Sequence, residues 1–385
     1  MYPCDDLRVL DLSRVVAGPI AARMLADLGA DVVKVEPPEG DITRSWGHVR
    51  HGISGWFTQQ NVGKRNVCVD VKTEEGVEVV RRLAAQADIV IENFRPGVLA
   101  RLGLDYEVLR TVNPDVVMLS VTGFGQRGPE QHRPAYAPVI HAETGFLARQ
   151  AEFDGVLPSD PILSIADTNA GLHGLIAIFA ALRLRDRMGT GQHIDLAMHD
   201  AMLATDDYAH YALDEEPIVR LGGRVFDAPG GPILLAGEMK YLWAALSRAH
   251  GIDDPAPGAV PIPDKARLRR AALDEWVAGF GDRAELKVAL DAARVPWGDV
   301  NSTAAAFVSP TAADRGTVAE IDDRAGGRRR VVQSPYRFSA ATSGVHGVAA
   351  YRGEHNADVL TTWAAYTEAE VATLESSGVL VAEPR

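Results

Sequence analysis

Cysteine is almost missing from this chain: Cys4 and Cys68 are the only two in 385 residues. One pair makes no disulfide framework, and these two lack metal-ligand spacing, so a reducing, cytoplasmic setting without a metal site is expected. Long apolar runs are scarce as well. The longest, around Leu175 to Leu182, falls short of the ~20 residues that span a bilayer. The acidic start Met1-Tyr2-Pro3-Cys4-Asp5-Asp6 lacks the basic-then-apolar pattern of a secretory leader, so no membrane partner is expected. Basic charge is in deficit, with 39 Lys+Arg against 52 Asp+Glu and a net charge of −13. That argues against nucleic acid, whose binding energy comes from a basic face; a few converging arginines can still hold a polyphosphate. Walker A, H-E-x-x-H, G-x-S-x-G and C-x-x-C patterns are also absent, which removes support for several hydrolase, metal and redox chemistries.

What is present has ordinary globular balance, 46% apolar and 24% charged. The chain exceeds the ~250–300 residues at which single cores stop growing, so two domains, or one with a large insertion, are expected. Arg8 to Leu12, Asp31 to Val35, Val67 to Val71, Asp88 to Glu92 and Asp115 to Val121 read as buried strands. Ala17 to Leu28 and Glu74 to Ala87 carry apolar residues at helical spacing. Strand–helix–strand repetition with short links predicts an α/β fold with a parallel sheet, whose ligand crevice lies at the carboxyl ends of the strands. A long helix from about Asp167 to Met188, a strand from Gln192 to Ala197 and a helix from His199 to Leu213 follow. From Glu215 to Asp264 the chain turns rich in glycine and proline, a boundary signal. Arg267 to Gly279 and Arg283 to Ala293 then read as helices of a smaller domain, Ser334 to Phe338 as extended and Glu368 to Ser376 as a terminal helix.

The first strand–helix turn, Ser13 to Pro19, lacks the G-x-G-x-x-G glycines of a dinucleotide site. Asp167, in Ser164-Ile165-Ala166-Asp167-Thr168, admits two readings. It is a helix N-cap accepting backbone N–H bonds, or a carboxylate nucleophile at a helix start that favours anions. Lys64, Arg65, Asn93 and Arg101 fall near strand ends, where cations are either solvated surface or an anion site. Tyr136 reads either as a packing tyrosine or as a donor to a developing oxyanion. His141, His173 and His199 read as core or rim residues, and His193 carries no signal.

Many short motifs occur in order: Leu7-Arg8-Val9-Leu10-Asp11-Leu12-Ser13 with Ala17-Gly18-Pro19, Gly29-Ala30-Asp31-Val32-Val33-Lys34-Val35-Glu36, Glu92-Asn93-Phe94-Arg95-Pro96-Gly97, Thr122-Gly123-Phe124-Gly125, Gly189-Thr190-Gly191-Gln192, Val295-Pro296-Trp297-Gly298-Asp299 and Ser334-Pro335-Tyr336-Arg337-Phe338. On these the chain resembles the class III CoA-transferases, whose fold is shared with α-methylacyl-CoA racemases. The resemblance implies a Rossmann-like large domain, residues 1–214 with 330–385, interrupted by a smaller α/β domain, 215–329, and two chains interlocked as rings in a homodimer. It implies an acyl-CoA and a small carboxylic acid as substrates, with no tightly bound cofactor. Asp167 takes the place of the nucleophile and Tyr136 stands beside it. Val16 lies by the thioester, while Lys64, Arg65, Asn93, Phe94, Arg101 and Met198 line the CoA site, with cations from Lys64, Arg65 and Arg101 converging on its phosphates. Two departures stand out: Ala137 replaces the acidic residue usual after the aromatic, and the stretch from Leu221 to Gly237 looks shortened. A racemase of the same fold and a CoA-binding relative without activity are the alternatives, though racemases place a histidine where Tyr136 stands.

Overall fold

The computed structural model describes residues 1–218 and 222–383; Leu221, where the shortened stretch begins, lies outside them. The chain forms two compact units, Met1–Asp207 with Asp314–Arg385, and Tyr208–Ala313.

The first unit is built on strands β1 (Arg8–Asp11), β2 (Asp31–Glu36), β3 (Arg65–Cys68), β4 (Ile89–Glu92), β5 (Val117–Thr122) and β6 (His193–Ala197). They form one sheet in the order β3-β2-β1-β4-β5-β6, every neighbour parallel. The central strands are apolar on both faces because helices cover both, as parallel sheets require. Leu10, Val33 and Val90 face one layer, Val9, Val32 and Ile91 the other. On the second face lie α1 (Ala17–Asp27), α6 (Ala137–Glu143), α8 (Ile165–Met188) and α9 (Met198–Ala204); on the first, α3 (Glu74–Ala84), α4 (Val98–Leu102) and α5 (Tyr106–Val112). The short α2 (Gly55–Asn61) and α7 (Phe146–Asp154) complete this stretch.

Helix α8 is the axis of the site face. A Cβ on Gly171 would stand 2.0 Å from Ile20 Cγ2, and one on Gly174 2.7 Å from Leu119. These glycines let α8 lie directly against α1 and β5. Its 24 residues are long and apolar enough, by length and composition, to cross a membrane, which the short run read from sequence did not register. Its buried face packs in the core, while Leu172, Ile176 and Phe179 leave an apolar stripe exposed. The helix starts at Ile165, not Asp167.

In the second unit, strands β7 (Arg224–Phe226), β8 (Ile233–Leu235) and β9 (Trp297–Asp299) form an antiparallel sheet. Helices α10 (Ala209–Leu213), α11 (Met239–His250), α12 (Ile262–Ala278) and α13 (Arg283–Ala292) belong to the same unit. Its own core gathers Phe226, Leu235, Trp243, Leu273 and Leu290. Helix α12 begins five residues before the expected Arg267 because Pro263 sits in its first turn, where a missing N–H costs nothing. The helix expected over His199–Leu213 is broken after Ala204, where Thr205 Oγ1 bonds back to the carbonyls of Ala201 and Met202.

The chain returns to the first unit at Asp314, earlier than residue 330. The reason is the hairpin of β10 (Val318–Asp322) and β11 (Arg328–Val332). Val332 is bonded to Gln59 of α2 and to Arg23 of α1, and Ile321 and Val331 bury Val62. The other boundary falls at Asp207 rather than 214. Ser334–Phe338 forms no strand. Helices α14 (Asn356–Thr362) and α15 (Glu368–Ser376) close the first unit, the latter opened by a Thr367–Glu370 capping box.

Candidate active site

Asp167 occupies the third position of α8 and is not its cap; Ser164 precedes the helix and makes no side-chain cap bond. Its carboxylate instead faces the backbone N–H groups of Ala17, the first residue of α1, and Ala137, the first of α6. Three helix starts therefore meet at one side chain, and their partial positive charge favours an anion there. The surroundings are apolar: Ala17, Ala137, Ala166, Ala170 and Met198 share one buried cluster. Burial pushes the Asp167 carboxyl up to about 6, against the pull of His141 and the two N–H groups. His141 Nε2 accepts the Ala166 N–H at 3.1 Å, so its Nδ1 carries the hydrogen given to Asp160 at 2.8 Å. The ring is fully buried and locks the residue before Asp167.

Tyr136 immediately precedes Ala137 and is 68% exposed. Ala137 itself is fully buried, and a longer acidic side chain is absent from this wall. Val16 caps α1 and is buried beside Ala17. Met198 opens α9 against the same cluster. Asp167, Val16, Met198 and the backbone after Tyr136 are thus brought together.

The expected convergence of cations fails for two of the three. Lys64 is buried, its ammonium donating to Asp11 (2.7 Å), Asn61 (2.9 Å) and the Pro19 carbonyl (3.0 Å). All three donors are engaged, and burial, reinforced by nearby Lys34, lowers the group to about 8. Arg65 is forked onto Asp31 (3.0 and 2.5 Å), paired with Asp358 (2.9 Å) and stacked over Trp363. These two cations hold the interior and the C-terminal helices, and the convergence on the CoA phosphates expected of Lys64 and Arg65 is not among the contacts their side chains make. Their position near strand ends was legible; their buried carboxylate partners were not.

Arg101, exposed near the end of α4, takes part in no ion pair among the described residues. Beside it lies an apolar cavity of about 250 Å³ at the carboxyl ends of β1, β2 and β3. Phe94, Pro37, Pro38, Val71 and Leu102 wall it; its charged lining is Arg14 and Lys72 together with Glu36, Glu39 and Asp70. The Arg14 guanidinium sits 5.6 Å from the Phe94 ring centre. Arg14 and Lys72 went unnoticed in the sequence, where an isolated cation after a strand carries little signal.

A larger cavity, about 450 Å³, lies at the ends of β4, β5 and β6 and is lined by Glu92, Ser120, His193 and Asp195. Burial pushes Glu92 up to about 7, and His193 Nε2 lies 2.9 Å from Ser120 Oγ. His193 thus has a partner that its place in an alternating strand did not announce.

Comparison with known proteins gives one consistent answer. The family model described as CoA-transferase family III matches residues 4–356. The chain is 35% identical to the succinate–glutarate CoA-transferase of Agrobacterium fabrum, over 93% of this chain and 95% of that protein. It is 31% identical to the formyl-CoA:oxalate CoA-transferase of Streptomyces avermitilis, over 98% and 99%. A crystal structure of a CaiB/BaiF family protein from Brucella suis superposes with a TM-score of 0.79 at 35% identity, covering 96% of this chain and 99% of that one. The family model and these matches over nearly the whole chain lead to one conclusion: the chain belongs to CoA-transferase family III and is an enzyme of that type.

Proposed function

We propose that this enzyme moves CoA between short dicarboxylic acids through covalent intermediates on Asp167. The observation that carries the reading is the Asp167 carboxylate, buried without a lysine or arginine partner among the described residues and facing the N–H groups of Ala17 and Ala137. A carboxylate kept from cations and water is a stronger nucleophile than a solvated or paired one.

An oxygen of Asp167 attacks the thioester carbonyl carbon, the C–S bond breaks, and CoA leaves as thiolate from a mixed anhydride. The thiolate then attacks the aspartyl carbonyl, releasing the donor acid and leaving an aspartyl-CoA thioester. An acceptor carboxylate attacks that thioester and expels the thiolate, forming a second anhydride. Attack of the thiolate on the acceptor's acyl carbon gives the new acyl-CoA and restores Asp167. At each tetrahedral stage on Asp167, the Ala17 and Ala137 N–H groups donate to its oxygen; the Tyr136 hydroxyl is a third candidate donor, toward the substrate's oxygen. The cavity at Phe94 receives the adenine, with Arg14, Lys72 and Arg101 for the phosphates. Val16 and Met198 flank the thioester end.

Dicarboxylic acids are favoured because relatives named for succinate, glutarate and mesaconate match over nearly the whole chain. The exposed stripe of Leu172, Ile176 and Phe179 supports a second copy of the chain as partner, and the interlocked dimer is proposed on that basis. Succinyl-CoA with glutarate, followed by chromatography of the CoA esters, tests the activity. Glutaryl-CoA is expected from wild type and none from Asp167→Ala; full transfer by that variant would overturn the role of Asp167. α-Proton exchange into deuterated water without any acceptor acid would support the racemase instead.

A further inference from the structure

Val15 is a β-branched residue at φ +70°, a left-handed conformation in which its side chain crowds its own backbone. Strain of this kind persists only where surrounding contacts outweigh it. Here they come from both sides of β1. From the loop after β4, Asn93 Oδ1 accepts the Arg14 N–H at 2.7 Å and Asn93 Nδ2 donates to the Arg14 carbonyl at 2.7 Å. From the loop after β2, Asp41 Oδ2 accepts the Val15 N–H at 3.2 Å. Lys34 braces that arm, donating to the Ser13 carbonyl at 2.8 Å and pairing with Asp41 at 3.2 Å. Strands β2 and β4 are the two neighbours of β1, so the turn is held as in a vice. Two residues beyond Val15 comes Ala17, whose backbone packs directly against α8 at Gly171 and whose N–H faces Asp167 one turn earlier in that helix.

We propose that Asn93 and Asp41 are positioning residues that hold Val15 in its left-handed conformation and thereby aim the Ala17 N–H at the Asp167 carboxylate. The Asn93 amide bonds the Arg14 backbone through both its oxygen and its nitrogen, so this residue acts on the nucleophile through the turn. The catalytic consequence rests on Asp167 being the nucleophile; the clamp itself does not. His141, with its partner Asp160, is the titratable group that faces Asp167 from α6.

Glycine adopts this φ without penalty, which provides the test. The experiment compares wild type, Asn93→Ala, Val15→Gly and the double variant, with succinyl-CoA and glutarate. Asn93→Ala is expected to lower kcat about tenfold or more, with KM for succinyl-CoA within about twofold of wild type. Adding Val15→Gly is expected to restore most of kcat, because the turn no longer has to be forced. Independently of activity, the ¹³C resonance of the Asp167 carboxyl, identified by its absence in Asp167→Asn, is followed against pH. Its midpoint is expected to rise in Asn93→Ala, where the Ala17 donor is lost, and to fall back in the double variant. Should Asn93→Ala fold poorly, Asn93→Asp keeps the acceptor for the Arg14 N–H but sets an oxygen against the Arg14 carbonyl, and should shift both readouts the same way. A raised KM with unchanged kcat, an unmoved midpoint, or strictly additive effects of the two substitutions would overturn the clamp. If the midpoints move as expected while wild type transfers no CoA, the clamp stands and the nucleophile reading falls.

Discussion

Asp11 and Asp167 are both buried against the turn that opens α1, yet they are opposites electrostatically. Burial alone would raise the pKa of each. At Asp11, Lys64 and Lys34 overcome that penalty and hold the carboxyl below its usual range. Asp167 has N–H groups and His141 and, among the described residues, no lysine or arginine partner, and stays raised at about 6. One aspartate is neutralised into the architecture; the other is left able to react. Burial does not separate the two carboxylates, but the charge of their neighbours does, and that difference is what recommends Asp167 as the proposed nucleophile.

The comparison can be broken most severely at Asp167. Asp167→Asn should reduce CoA transfer by roughly a thousandfold or more, read by initial rates with succinyl-CoA; a loss below tenfold would show that another group carries the acyl transfer. On the other side, Lys64→Met leaves Asp11 buried without its nearest cation, and should cost about 3–5 kcal/mol in urea unfolding. A weakened affinity for CoA thioesters with stability intact would return Lys64 to the phosphate site.

A smaller effect of opposite sign sharpens the contrast. The folded protein holds the Asp167 proton up to about pH 6, whereas the unfolded chain releases it near the model-peptide value, ~3.9. The folded state thus binds more protons in that window, and stability contributed by this group falls as pH rises through it. Asp167→Asn should therefore be more stable than wild type at pH 7, by about 1–3 kcal/mol, and no more stable at pH 3. Asp11, held low, runs the other way, contributing stability at neutral pH that is lost on acidification. Turnover should show an acid limb near pH 6, as Asp167 must be ionised to attack. The smallest effect is expected for Arg101→Ala, which should raise KM for succinyl-CoA several-fold in a salt-dependent way, with kcat retained; the same substitution at Arg65 should change stability and not KM.

Much of this was legible in the sequence. Val9, Val32 and Ile89 in apolar runs, with helical spacing between, were enough for the parallel sheet, and the ordered motifs placed the chain in its family. Interior ion pairing was not legible. Lys64 and Arg65 look alike in the sequence as cations after a turn, and only the fold brings them to Asp11 and Asp31, across 53 and 34 residues. The same limit hid the Asn93–Arg14 contact, which spans 79 residues, and the strain at Val15, which nothing in a β-branched residue's identity announces. Helix ends failed for local reasons: Pro263 in a first turn, and Thr205 bonding back to its own helix.

The central claim is that Asp167 becomes acylated. Succinyl-CoA added to the enzyme, followed at once by borohydride, reduces an aspartyl-CoA thioester to homoserine, which peptide mass spectrometry locates. Homoserine is expected at position 167, dependent on succinyl-CoA. An unmodified Asp167 under conditions where CoA transfer proceeds, with the adduct on another residue, would contradict it.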